Sequence, residues 1–162
     1  MEAVAKDDKE LQEVLKFYQD LLQDDPTRFP IQKRRAALLR STGKNGDAIV
    51  ALTNLLDSSP TDAEAWAELG DLYSSQGAYD QAVYCLEEVL LVTPNAWNMH
   101  ARLGEALYLS AGKIEGGGDQ LKALSESMRR FCRSIELCDD YLRGYYGLKL
   151  VCNTSLCIAM IC

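Results

Sequence analysis

Prolines at a constant spacing constrain the fold of this chain more than any other feature of its sequence. Pro26, Pro60 and Pro94 are 34 residues apart, and each follows a segment with helical apolar periodicity. Proline lacks a backbone N–H and clashes with the preceding turn, so it is expected where a helix has ended. Self-similarity at such a period is typical of stacked repeats. The sequence therefore predicts an array of helical repeats.

The best-defined repeat shows the spacing expected of a helix pair. Trp66, Leu69 and Tyr73 recur at three- and four-residue steps, which predicts a first helix over about residues 63–76 with one apolar stripe. Gly77 can adopt the left-handed conformation that ends a helix. Asp80 is then a candidate cap for the second helix.

Small residues extend the same register to the neighbouring segments. Gly70 and Ala82 are expected to be small because the two helices of the pair cross closely there. Positions 34 residues earlier hold Ala36 and Ala48, and Gly104 follows Gly70 by 34. The predicted structural repeat positions are Ala36, Ala48, Trp66, Leu69, Gly70, Tyr73, Ala82, Leu86, Pro94, Gly104 and Phe131.

Residues 63–94 resemble the tetratricopeptide pattern Trp-x2-Leu-Gly-x2-Tyr, Ala-x3-Phe and Pro, with Leu86 in place of the phenylalanine. The resemblance implies an all-α fold, a right-handed helical solenoid of antiparallel helix pairs. The third repeat contains the glycine-rich stretch 111–119, for which we expect a flexible loop, and its second helix is predicted to resume near Leu124. The predicted segments are an N-terminal packing helix (1–28), three repeats (29–62, 63–96 and 97–141, the last with the insertion), the first helix of an incomplete fourth repeat (142–152) and an atypical apolar tail (153–162).

Composition indicates a compact acidic domain. The chain has 162 residues, of which 48% are hydrophobic and 25% charged, with a net charge of -7. A negative charge argues against nucleic acid and against anionic membrane surfaces as direct partners. The charged N-terminus does not fit a signal peptide, and the longest apolar runs are too short for a membrane span. We therefore expect a reducing compartment with free cysteines and no membrane span of the chain's own.

Motifs for chemistry are missing from the sequence. His100 is the only histidine and no Cys-x-x-Cys pair occurs, so the usual zinc spacings are absent. Gly116, Gly117 and Gly118 do not match a phosphate-binding motif. The sequence predicts a non-enzymatic protein without a cofactor or metal, in which His100 is a surface or groove residue.

Charge is distributed unevenly. Residues 45–101 contain nine Asp or Glu and no Lys or Arg, and basic clusters lie on both sides. Two interpretations stay open: ordinary solvated faces, or an acidic band with basic ends that orients partner proteins. In tetratricopeptide arrays the concave face comes mainly from first helices, and its acidic character here disfavours a clamp for a peptide's terminal carboxylate. The candidate protein-binding concave face consists of Lys33, Arg34, Arg40, Glu64, Glu68, Asp71, Asn98, Arg102 and Glu105.

A more specific resemblance covers about residues 10–150. It rests on Gly43-Lys44-Asn45 with Ala48-Ile49, Asp62 through Leu69, Tyr79 through Ala82, Cys85-Leu86-Glu87-Glu88, and Arg143 through Leu148. These segments resemble the family of subunit 2 of the endoplasmic reticulum (ER) membrane protein complex. Members of that family extend well beyond the length of this chain, so the resemblance implies a C-terminally truncated form.

The resemblance implies a non-enzymatic scaffold, peripheral on the cytosolic face of the ER membrane. Its expected partners are the other cytosolic and membrane-embedded subunits of the complex, which inserts transmembrane segments of newly made proteins. The alternative is a free cytosolic adaptor or co-chaperone that binds peptide segments of partner proteins.

Overall fold

The computed structural model describes residues 8–25, 27–114 and 117–159. Helices account for all regular structure in these residues and no strand occurs among them, which confirms the predicted all-α fold. The helices are α1 (Asp8–Asp24), α2 (Phe29–Ser41), α3 (Asn45–Ser58), α4 (Ala63–Ser75), α5 (Tyr79–Val92), α6 (Trp97–Ala111), α7 (Gly117–Leu137) and α8 (Leu142–Ala159). None of these helices combines the length and apolar character that crossing a bilayer requires.

The chain divides into two compact units, Met1–Ala65 and Trp66–Cys162, and the division falls inside α4. In the first unit, α1 packs on α2 through a cluster built from Val14, Tyr18 and Leu38. The described part of the predicted N-terminal packing helix therefore makes the contact expected of it, while residues 1–7 and Pro26 lie outside the described residues.

In the second unit, two apolar clusters join α5 to α6 and α6 to α7 and α8. Ala82, Leu86 and Leu103 are buried in the first cluster. Phe131 and Val151 are buried in the second cluster. Each helix therefore contributes to the burial of the next, as in a stack of repeats.

Two glycines end the first helices of their pairs. Gly43 and Gly77 have φ values of +75° and +72°, a left-handed conformation that glycine adopts without strain. The prediction for Gly77 is therefore confirmed. The predicted cap by Asp80 is wrong, because α5 already begins at Tyr79 and Asp80 lies in its first turn, where it accepts a hydrogen bond from Ser110 Oγ at 2.6 Å.

The glycine-rich stretch is helical further than predicted. The second helix of the third repeat begins at Gly117 rather than near Leu124, so Gly117 and Gly118 belong to α7, while Gly116 lies outside the described residues. The reason is local, since good helix formers follow these glycines and Lys122 pairs with Asp119 one turn earlier at 2.9 Å.

The apolar tail prolongs α8. This helix runs past residue 152 to Ala159, and Cys162 lies with its two predecessors outside the described residues. Neither proline nor glycine occurs after Gly147 to stop the helix. Thr154 Oγ1 lies 3.3 Å from Tyr108 Oη, so the C-terminal half of α8 still contacts α6.

Candidate protein-binding face

In the first unit, Lys33 of α2 forms the centre of a charged cluster. Its ammonium lies 2.8 Å from Asp62 Oδ2 and 2.6 Å from Glu64 Oε2. Asp62 also caps α4, because Oδ1 accepts the N–H of Ala65 at 3.1 Å. The cluster therefore ties α2 to the beginning of α4.

Ionisation of this cluster reflects two opposing effects. Burial alone disfavours the charged forms, but the hydrogen bonds between Lys33 and the two carboxylates outweigh it. The net result is a raised pKa for Lys33 and a lowered pKa for Asp62. Both groups are therefore held in their charged forms at neutral pH.

In the second unit, residues of α4 and α6 line a groove of about 310 Å³. Arg102 crosses from α6 to α4, where it pairs with the Asp71 carboxylate and contacts the carbonyl oxygen of Ala67 at 3.4 Å. Glu105 lies one turn further along α6 and accepts a hydrogen bond from Arg143 of α8 at 2.5 Å. Neighbouring first helices of this unit are thus connected by ion pairs.

Arg143 is a member of this face that was not predicted as a site residue. Burial lowers its pKa, but the charge of Glu105 and the hydrogen bond to it raise that pKa by more. The 34-residue period could not pair Arg143 with Glu105, because the glycine-rich insertion lengthens the interval to 38 residues. Asp62 was likewise missed, although its position before the first apolar residue of α4 is a recognisable cap signal.

The nine predicted face residues divide between the two units. Lys33 and Glu64 pair in the first unit, and Asp71, Arg102 and Glu105 line the groove of the second. The other four stand apart from these pairs: Arg34 and Arg40 are exposed on α2, and Glu68 and Asn98 are half-buried.

The predicted repeat positions lie mostly inside the two units. Trp66 and Tyr73 are half-buried, and Pro94 is exposed in the turn between α5 and α6. The remaining eight are buried: Ala36, Ala48, Leu69, Gly70, Ala82, Leu86, Gly104 and Phe131.

Two potentially reactive side chains, Cys85 and His100, lie inside the second unit, and neither forms a catalytic arrangement. Burial raises the pKa of the Cys85 thiol to about 12, so it is inert at neutral pH. His100 is buried rather than at the surface, and its Nε2 hydrogen-bonds the carbonyl oxygen of Pro94 at 2.9 Å. Across the described ranges, no cluster of His, Cys, Asp or Glu could hold a metal ion.

Comparison with known proteins agrees with the repeat register. Residues 39–103 match the family model of the tetratricopeptide repeat. A solved tetratricopeptide repeat protein from Parabacteroides merdae superposes with a TM-score of 0.74 over 93% of this chain and 58% of that chain, at 15% identity. That likeness concerns the fold alone.

Two curated relatives match most of the chain. The TPR repeat protein oca3 of Schizosaccharomyces pombe is 37% identical over 146 residues, which cover 89% of this chain and 49% of the relative. ER membrane protein complex subunit 2 of Xenopus tropicalis is 32% identical over 138 residues, covering 85% of this chain and 44% of the relative. The chain thus spans about half the length of these relatives. It is a tetratricopeptide-repeat protein, homologous to ER membrane protein complex subunit 2.

Proposed function

We propose that this chain is a non-enzymatic scaffold subunit of the ER membrane protein complex. It binds on the cytosolic face of the ER membrane and supports the insertion of transmembrane segments of newly made proteins. The observation that carries the proposal is the 32% identity to a named subunit 2 over 85% of the chain. Paired charges between first helices support a scaffold, because they fix neighbouring repeats rather than form a reaction centre.

Unpaired cations of α2 support a specific mode of partner binding. Arg34 and Arg40 are exposed, and neither makes an ion pair with any residue that the structure describes. Guanidinium groups in water favour carboxylate-bearing partners and steer their approach. We therefore assign first contact with acidic segments of other subunits to these two arginines.

Affinity purification tests the scaffold proposal. The tagged chain is expressed in cells, membranes are solubilised in detergent, and co-purifying proteins are identified by mass spectrometry. Recovery of the other subunits of the ER complex supports the proposal. Recovery of chaperones without those subunits would instead support the free cytosolic adaptor or co-chaperone.

Charge reversal on α2 tests the binding mode. Arg34→Glu with Arg40→Glu is expected to reduce recovery of the partners severalfold without unfolding the protein. Lys16→Glu with Lys149→Glu is the matched control, because both lysines are exposed and the change in net charge is the same. Equal loss in the two double variants would reject a role for the α2 arginines.

A further inference from the structure

A second groove of the second unit is lined by residues of α5, the following turn, α6 and α7, and it shares no lining residue with the groove that contains Arg102. It has a volume of about 430 Å³, and we call it the α5–α7 groove. Its lining consists of Tyr84, Glu87, Glu88, Leu90, Leu91, Pro94, His100 and Arg130. None of the nine residues predicted for the concave face lines this groove.

An exposed apolar stripe forms one wall of the groove. Tyr84 and Leu91 are 56% and 76% exposed, and they lie seven residues apart, on the same face of α5. Trp66 holds the Tyr84 ring edge-on, with ring centroids 5.8 Å apart and an interplanar angle of 80°. The wall is thus preformed before any partner arrives.

His100 lies at the base of the groove with an unused acceptor. Its side chain is only 6% exposed. A carbonyl oxygen can only accept, so Nε2 carries the proton of the 2.9 Å hydrogen bond to Pro94, and Nδ1 is left as an acceptor. That Nδ1 is buried and has no hydrogen-bond partner within the described part of the chain. A buried polar atom of this kind is costly unless a partner satisfies it.

Carboxylates at the rim give the groove its charge. Glu87 lies 4.0 Å from Arg130, whose guanidinium already binds Glu126 at 2.9 Å. Glu88 is half-buried and makes no ion pair with a described residue. The groove therefore offers two carboxylates, against a single guanidinium that is already engaged.

We propose that the α5–α7 groove binds a segment of a partner protein that carries apolar side chains beside a lysine or arginine. The apolar side chains pack on Tyr84, Leu91 and Pro94, and the cation lies against Glu88. This proposal holds whichever complex the chain belongs to, because only the geometry and charge of the groove support it.

Charge argues against a second copy of this chain as the occupant. A symmetric dimer through the groove would bring Glu87 and Glu88 of one copy toward the same residues of the other. Arg130, the one cation among the described residues that line the groove, is already engaged by Glu126 and lies near Glu87, so it does not compensate for this repulsion. The proposed occupant is therefore a different, basic partner.

Selection from a peptide library tests the proposal with the full chain. The immobilised protein is screened against a phage-displayed library of random linear peptides, and the best peptide is synthesised for calorimetry. We expect enriched peptides to combine lysine or arginine with leucine, isoleucine or an aromatic residue. Failure to enrich any peptide, or enrichment of peptides without a basic residue, would overturn the proposal.

Two variants locate the binding. Glu88→Gln is expected to weaken the best peptide about tenfold, since it removes the negative charge that faces the cation of the peptide. Leu91→Ser should weaken it by a similar factor.

Matched controls are Asp57→Asn, which removes the same charge from exposed α3, and Val50→Ser, which replaces another exposed aliphatic residue. Both should bind the peptide as tightly as the parent protein. Unchanged binding in the groove variants, or a dimer that Leu91→Ser dissociates in light scattering, would show that the groove is not a site for a basic partner.

Discussion

Three helical glycines, Gly70, Gly104 and Gly147, differ in how much space a side chain would find. A Cβ on Gly70 would meet its nearest atom, in Cys85, at 3.4 Å, which is ordinary van der Waals contact. A Cβ on Gly104 would approach the Phe131 ring to 3.0 Å, and one on Gly147 would approach it to 2.1 Å. The predicted close crossing of α4 and α5 at Gly70 is therefore confirmed, with space for a methyl group, and the tightest approach occurs around Phe131.

Gly147→Ala is expected to lower the free energy of unfolding by about 1–3 kcal/mol, because the new methyl group overlaps a buried aromatic ring. Gly70→Ala should raise that free energy by about 0.5–1 kcal/mol, because alanine stabilises a helix and the space is available. Urea unfolding monitored by circular dichroism measures both. Equal effects of the two substitutions would contradict the packing described around Phe131.

Asp62 provides a second residue-scale prediction, which depends on pH. Asp62→Asn retains the helix cap but loses the ion pair with Lys33, so we expect a loss of about 1 kcal/mol at pH 7. The lowered pKa of Asp62 means that its stabilisation is present above about pH 4 and is lost as the pH falls below that value. The raised pKa of Lys33 keeps the ammonium charged throughout this range.

Urea unfolding at pH 7 and at pH 3 measures this linkage. The difference between Asp62→Asn and the parent protein should shrink at pH 3, because below about pH 4 the unfolded parent takes up a proton at Asp62 that the folded parent resists. Asp57→Asn is the control and should change stability little at either pH, because Asp57 is exposed and pairs with no described residue. A difference that is the same at both pH values would assign the loss to packing rather than to charge.

At the residue scale, the sequence predicted burial correctly where the position within the repeat determines it. The small residues Ala36, Ala48 and Ala82 follow from the 34-residue register, and all three are buried. It failed where the determinant lies on another helix. The partner of Glu105 is Arg143, 38 residues away, and a fixed period cannot identify such a pair across an insertion.

At the scale of helices, ion pairs connect each first helix of the second unit to the next first helix. In the second unit, Asp71 of α4 pairs with Arg102 of α6, and Glu105 of α6 pairs with Arg143 of α8. The acidic band is therefore partly neutralised by residues outside it. The distribution of charges along the sequence shows where the acidic band lies, whereas this pairing depends on which helices become neighbours.

A double-mutant cycle of Arg102→Ala and Asp71→Ala measures one of these pairs. We expect a coupling free energy of about 0.5–1 kcal/mol, because both side chains are partly exposed, and a smaller value in 1 M salt. Lys122 and Asp119 form the comparison pair, with side chains 82% and 77% exposed, and should couple by no more than about 0.3 kcal/mol. Coupling of zero at Arg102 and Asp71 would show that this pair does not hold α4 to α6.

Helix crossing within a pair gives a further test. Ala82 is fully buried on α5, so Ala82→Leu should overpack the crossing and destabilise the protein by about 1–3 kcal/mol. Gln81→Leu is the control, because Gln81 is the exposed neighbour on the same helix. Thermal unfolding compares the two, and an equal effect would mean that the register is wrong by one residue.

Helix boundaries mark the limit of what periodicity predicts. The first helix of the second repeat was predicted over residues 63–76 and lies at Ala63–Ser75. By contrast, α7 begins about two turns before the predicted Leu124, because glycines suggested a loop although the residues after them favour a helix. Apolar residues at the end of the chain likewise gave no indication that α8 would run on to Ala159.

At the scale of the whole molecule, the proposed place in the cell leads to a fractionation experiment. The chain should sediment with ER membranes, because its proposed partners include subunits embedded there. High salt or alkali should release it, since no described helix has the length and apolar character of a membrane span. Immunoblotting of the pellet and supernatant measures the release. Retention in the pellet after alkaline extraction would contradict a peripheral position.

The opposite charges on the two sides of α6 have a consequence for how an array of such repeats can be lengthened. This helix carries a cation, Arg102, toward the preceding first helix and a carboxylate, Glu105, toward the following one. A tandem duplication of the α6–α7 hairpin would set the carboxylate of the first copy beside the guanidinium of the second. Duplication of this hairpin would therefore lengthen the array without creating like-charge neighbours at the new junction.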